Sequence, residues 1–154
     1  MTHWGLVLTN CVFIIGNFHY AGKPKTSFEG ILVAWKWHNA LSPFALLLEF
    51  IISAYFWTMI YSPDYDLRMG DILDHSVPFA LLLIDYVCFH AYKIIKNQVF
   101  VVITFMFSYL LTNLIVKKVT GFDVYGGMDW ETPIGIILPL GVALIALIFW
   151  AVLV

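Results

Sequence analysis

Charge is what this sequence lacks. Of its 154 residues only 12% are charged, where a soluble domain carries about 25%. The net charge of -2 leaves no basic footprint, which excludes nucleic acid as a partner. Cysteine is scarce too. Cys11 and Cys88 both fall inside apolar runs, so they form neither a disulfide framework nor a metal cluster and read as small buried hydrophobes. His3, His19, His38, His75 and His90 have no tight ligand spacing, so neither a metal nor a cofactor is expected. Residues 1–10 lack the basic region that opens a signal peptide, and no cleavable leader is expected. No internal repeat or low-complexity segment stands out.

What is present is apolar. Hydrophobic residues make up 62% of the chain, and the mean hydropathy is +0.89. So small a globule has too little interior to hide that many apolar side chains. The expectation is an all-α integral membrane bundle, a single transmembrane domain over residues 1–154. Hydrocarbon offers the backbone no hydrogen bonds, so every crossing segment must be a helix.

A crossing needs about 20 mostly apolar residues, with a range of about 17–25. Five segments qualify, at 2–18, 41–61, 72–92, 99–116 and 134–154. The stretch SFEGILVAWKWHNA, residues 27–40, mixes tryptophans with charge and reads as an interfacial helix leading into the second span. The aromatic content of 18% is largely what interface belts and lipid-facing surfaces require.

Five spans put the termini on opposite sides, here A for the N-terminal side and B for the other. Lys23, Lys25, Lys36, Lys93 and Lys96 flank side B, and Arg68, Lys117 and Lys118 flank side A. The excess places side B in the cytosol or matrix. An endomembrane and the mitochondrial inner membrane both remain open. Side A gathers the acids Asp64, Asp66, Asp71, Asp123, Asp129 and Glu131.

Ionisable groups inside a span are costly and usually face the bundle interior. Glu49 and Asp85 fall in the second and third spans, both roughly 10–12 Å below side B at a rise of about 1.5 Å per residue. Two carboxyls at one depth would share a proton. The alternative is that each is simply protonated, or bonds a nearby hydroxyl such as Ser53 or Tyr86. His75 opens the third span on side A, where Ser76 and Pro78 mark a helix start. Helical spacing puts His75, Tyr86 and His90 on one face. Thr2, Thr112 and Asn113 also fall near side A. A hydroxyl near an imidazole is the minimal set for nucleophilic acyl transfer. A lone histidine at a helix end is, equally, an ordinary interfacial residue.

Several stretches taken in order resemble the androgen-induced and androgen-dependent (FAR-17a-like) family of multi-pass membrane proteins. THWGLVLTNCVF opens an apolar span on a threonine, and YFWTMIY ends an aromatic-rich one. HSVPFALLLID places a histidine ten residues ahead of an acid, and VTGFDVY follows the penultimate span. The resemblance runs over essentially the whole chain, although each motif is short. It implies a threonine–histidine hydrolase of esters in which a fatty acid is joined to a hydroxy fatty acid. By position Thr2 would be the nucleophile and His75 its base, with Asn113, Thr112 or Ser76 as oxyanion donor. The family's first helix would precede the threonine, so its six spans become five here.

A second reading is a non-catalytic accessory subunit held by other membrane subunits, as in a mitochondrial respiratory assembly. A missing family helix fits that reading, since a partner's helix would fill the gap. The partners are then membrane lipids with either a lipid ester substrate or neighbouring subunits. A third reading, proton translocation, rests on Glu49 and Asp85 alone, without an inverted repeat or a pair of broken helices.

Overall fold

The computed structural model describes the backbone of residues 2–20, 28–89, 92–122 and 130–154, and the side chains of 5–17, 32–89, 92–122 and 130–154. Among the described residues every regular element is a helix. In chain order these are α1 (Thr2–Tyr20), α2 (Phe28–Tyr55), a π-helical turn (Phe56–Ile60), α3 (Met69–His75), α4 (Val77–Val87), a 3-10 turn (Lys96–Gln98), α5 (Val99–Thr120) and α6 (Pro133–Leu153). They fall into two compact units, Met1–Ile95 and Lys96–Val154.

Three helical stretches are long and apolar enough to cross a membrane: Leu32–Ile60, Lys96–Thr120 and Pro133–Leu153. With the composition, they make this a membrane protein. A shorter apolar helix, Gly5–Asn17, lies within α1.

In the first unit α2 is the central element. Its residues Ala45, Leu46, Leu47, Leu48, Ile51, Ile52 and Tyr55 are all buried. The interfacial helix expected over 27–40 is not a separate piece. A single 28-residue helix runs through Pro43 without interruption, and at about 42 Å it exceeds the hydrocarbon thickness of about 30 Å. Its early turns expose Leu32, Val33, Trp35 and Trp37, of which the two tryptophans are of the amphipathic type found in interface belts.

Helix α1 packs against α2 through Gly5, Thr9, Val12 and Gly16, all buried and spaced four, three and four residues apart. Small residues at that spacing let two backbones come close. The pair is antiparallel, because Gly5 lies beside Glu49 and Ile52 while Gly16 lies beside His38.

The third expected span, 72–92, is broken. Pro78 has no amide proton for the Asp74 carbonyl, and its ring crowds that carbonyl. The helix therefore stops at His75, Ser76 takes φ -129°, and α4 starts anew with Pro78 in its first turn. The break also separates His75 from the face it was expected to share with Tyr86, which packs instead against Tyr92 at 5.6 Å. His90 lies outside the described residues. Beyond α4, Tyr92 donates its hydroxyl to the Leu82 carbonyl at 2.8 Å, and Lys93 N donates to Asn39 Oδ1 at 3.0 Å. These bonds tie the segment after α4 back to the unit.

Both cysteines are exposed rather than buried. In a membrane an apolar run presents side chains to lipid as well as to protein, so apolar neighbours do not imply burial.

In the second unit α5 ends at Gly121, whose φ of 75° is the left-handed conformation of a helix C-terminus. Thr132 caps α6, its hydroxyl oxygen accepting from Gly135 N at 3.2 Å, and Pro133 follows at the first helical position. Most of the remaining α5 and α6 surface is exposed and apolar, including Phe100, Phe107, Ile137, Leu144 and Val152.

Candidate functional site

The antiparallel α1–α2 pairing sets relative heights. Gly5 lies between Glu49 and Ile52, so three residues earlier on α1, Thr2 stands level with the turn from Ile52 to Tyr55 on α2. The next residue of α2, Phe56, stacks on His75, with ring centroids 4.1 Å apart and planes 8° apart. The first turn of α1 and the end of α3 therefore meet α2 within about one turn of each other, and α1 packs against α3 and α4 as well as α2. The Thr2 side chain itself lies outside the described residues.

His75 is half-buried, and its Nδ1 is buried with no hydrogen-bond partner among the described residues. A buried polar atom in that state is costly and calls for an explanation.

The π-helical turn is what brings α2 to the α3–α4 break. Tyr61 N bonds the Phe56 carbonyl at 2.8 Å, five residues back rather than four. Its first two residues both reach the break: Phe56 covers the His75 ring, and Trp57 Nε1 donates to Ser76 Oγ at 2.8 Å. Tyr65 meets the Phe56 ring edge-on at 5.8 Å, and Tyr61 packs against Trp57 at 5.1 Å. Single π turns inside helices recur at functional sites. Phe56 and Trp57 belong to the YFWTMIY stretch, which sequence reasoning noted but gave no role.

The oxyanion candidates fare differently. Ser76 sits beside His75 and holds the Trp57 bond. Thr112 and Asn113 belong to the second unit and turn back onto their own helix. The Thr112 hydroxyl donates to the Ser108 carbonyl at 2.8 Å, which uses its single proton. Asn113 Nδ2 donates to the Tyr109 carbonyl, also at 2.8 Å. Their polar atoms serve α5 rather than an open pocket.

The two buried acids do not form a pair at one depth. Phe50 meets Phe79 and His38 meets Tyr92, so Glu49 and Asp85 are offset by four to five residues, roughly 6–8 Å. Glu49 is 1% exposed and accepts the Thr9 hydroxyl at 2.9 Å. A hydroxyl partner was the expected alternative to proton sharing, but it comes from α1 rather than from Ser53 or Tyr86. Asp85 is half-buried on α4.

Among the described residues no group of three His, Cys, Asp or Glu side chains is placed to hold a metal ion. No family model matches the chain, and neither a curated protein nor a solved structure does.

Proposed function

We propose that this protein is an integral-membrane hydrolase of lipid esters, acting on esters of a fatty acid with a hydroxy fatty acid. Thr2 is its nucleophile and His75 its base, at the side-A end of a five-span bundle. In this reading α1 and the α3–α4 pair cross beside α2, and α5 and α6 supply the other two spans. The observation that carries it is the placement of Thr2 within about one helical turn of the Phe56–His75 stack, together with an imidazole Nδ1 that has no partner among the described residues.

The chemistry follows acyl transfer in two steps. His75 takes the Thr2 hydroxyl proton as Oγ1 attacks the ester carbonyl. The ester bond breaks, the hydroxy fatty acid leaves as an alcohol with the proton from His75, and an acyl-threonine remains. Water, deprotonated by His75, then attacks that ester. The fatty acid is released and the Thr2 hydroxyl is restored. In this reading Ser76, next to His75 in the chain and bonded by Trp57 Nε1, is the oxyanion donor, while Thr112 and Asn113 bond carbonyls of their own helix.

The accessory-subunit reading draws on the apolar faces of α5 and α6, which lipid would cover equally well. Turnover decides between the two. The purified protein in detergent micelles should hydrolyse a fatty acid ester of a hydroxy fatty acid. Thr2→Ala and His75→Ala should each lose at least about a hundredfold in rate, the scale of a lost nucleophile or general base. A monodisperse wild-type protein without turnover would overturn the hydrolase and leave the scaffold.

A further inference from the structure

Two buried polar side chains of α2, Glu49 and His38, are eleven residues apart. They rest on two glycines of α1, Gly5 and Gly16, that are also eleven residues apart. A Cβ on Gly5 would lie 2.6 Å from Glu49 Oε1, and one on Gly16 would lie 2.9 Å from His38 Nε2. Both polar side chains are only 1% exposed. Each therefore occupies a gap that only glycine leaves open, and the two gaps match the two side chains in antiparallel order.

Between these contacts the surface of α1 is smooth. Thr9 and Val12 are small side chains on the same stripe, and apolar packing in lipid gives such a stripe little resistance to sliding by one turn. The polar contacts supply that resistance. In a slipped register Glu49 would lose the Thr9 hydroxyl that it accepts at 2.9 Å. It would face apolar side chains instead, with its carboxyl buried and unbonded.

We infer that Glu49 is a positioning residue: bonded to Thr9 and seated against Gly5, it fixes the axial register of α1 on α2. For the hydrolase reading, on which this consequence rests, it thereby holds Thr2 at the height of His75. Thr2 lies seven residues before Thr9 on the same helix. A one-turn slip would carry Thr2 about 5.4 Å along the axis, beyond reach of a proton transfer that needs about 3 Å.

The test reads register and turnover separately. Spin labels go on exposed positions of α1 and α3, as Val7→Cys and Leu73→Cys, in a background with Cys11→Ser and Cys88→Ser. Pulsed electron resonance then measures the interspin distance. Wild type and Glu49→Gln, which still offers an oxygen to Thr9, should give one narrow distance. Glu49→Leu and Thr9→Val should broaden it or add a population shifted by about 5 Å. In turnover, Glu49→Leu should lower kcat at least tenfold with KM within twofold, and Glu49→Gln should keep kcat within threefold. An unchanged narrow distance in both Glu49→Leu and Thr9→Val would overturn the inference, whatever the turnover shows. A shifted distance in a protein that hydrolyses nothing would sustain the register role and sink the hydrolase reading alone.

Discussion

The imidazole of His75 lies flat on the ring of Phe56, centroids 4.1 Å apart and planes 8° apart. Phe56 is itself 2% exposed, opens the π-helical turn, and follows directly on the turn of α2 that stands level with Thr2. One aromatic ring therefore joins the central helix to the end of α3. Removing it tests whether the imidazole is held or merely present.

Phe56→Leu should lower stability by about 1–2 kcal/mol, from lost stacking and an imperfectly filled site. Phe56→Tyr keeps the ring and should stay close to wild type in rate. Denaturant titration reads the first effect and ester turnover the second. Equal turnover in wild type and Phe56→Leu would show that the stack does not orient the imidazole.

Glycine should be required at some positions and dispensable at others. A Cβ on Gly5 would lie 2.5 Å from Ile52 Cδ1, inside a buried interface. Gly5→Ala should therefore cost about 1–3 kcal/mol by overpacking. Around Gly70 and Gly141 nothing lies within 4 Å of the added atom. Gly70→Ala and Gly141→Ala should be neutral or stabilise by up to about 1 kcal/mol through helix propensity. Thermal unfolding of the three variants in one detergent checks the order.

The indole N–H of Trp57 and Ser76 Oγ are 2.8 Å apart across the turn between α2 and the α3–α4 break. Trp57→Phe removes the donor and keeps an aromatic ring, so about 1 kcal/mol of stability should go with it. Ser76→Ala should cost a similar amount. The double variant should cost clearly less than the two losses combined, because both report one bond. Full additivity would mean that the bond contributes nothing.

Cys11 and Cys88 are both free and exposed. The folded protein in detergent should take up two N-ethylmaleimide adducts without denaturant, counted by intact mass. A protein that accepts them only after unfolding would place the thiols inside the fold.

The long apolar stretches were legible because hydrocarbon leaves a helix as the one way to satisfy the backbone. Residues 99–116 and 134–154 gave α5 and α6, and 41–61 gave the core of α2. Apolar length alone could not show that 72–92 breaks at Ser76. The signal was there in Pro78, whose missing amide proton frees the Asp74 carbonyl, and a helix does begin at that point.

The site was legible only in part. Depth counting placed Thr2 and His75 on one side of the membrane. The same counting put Glu49 and Asp85 at one depth, because it began α2 at residue 41 and carried the third span unbroken to residue 92. Phe56, Trp57 and the Thr9–Glu49 bond escaped altogether. Each depends on which faces of two helices meet, and a single sequence holds that only as spacing. The clue for Thr9 was the stripe of Gly5, Thr9, Val12 and Gly16, whose period fits one close helix interface.

The most direct test of the hydrolase is to find which residue a fluorophosphonate modifies. The purified protein is labelled in micelles, digested, and the adduct located by tandem mass spectrometry. The account predicts one adduct, on Thr2, formed slowly or not at all in His75→Ala. An adduct on Ser76 or any other hydroxyl, or a folded protein that takes no label, would contradict it.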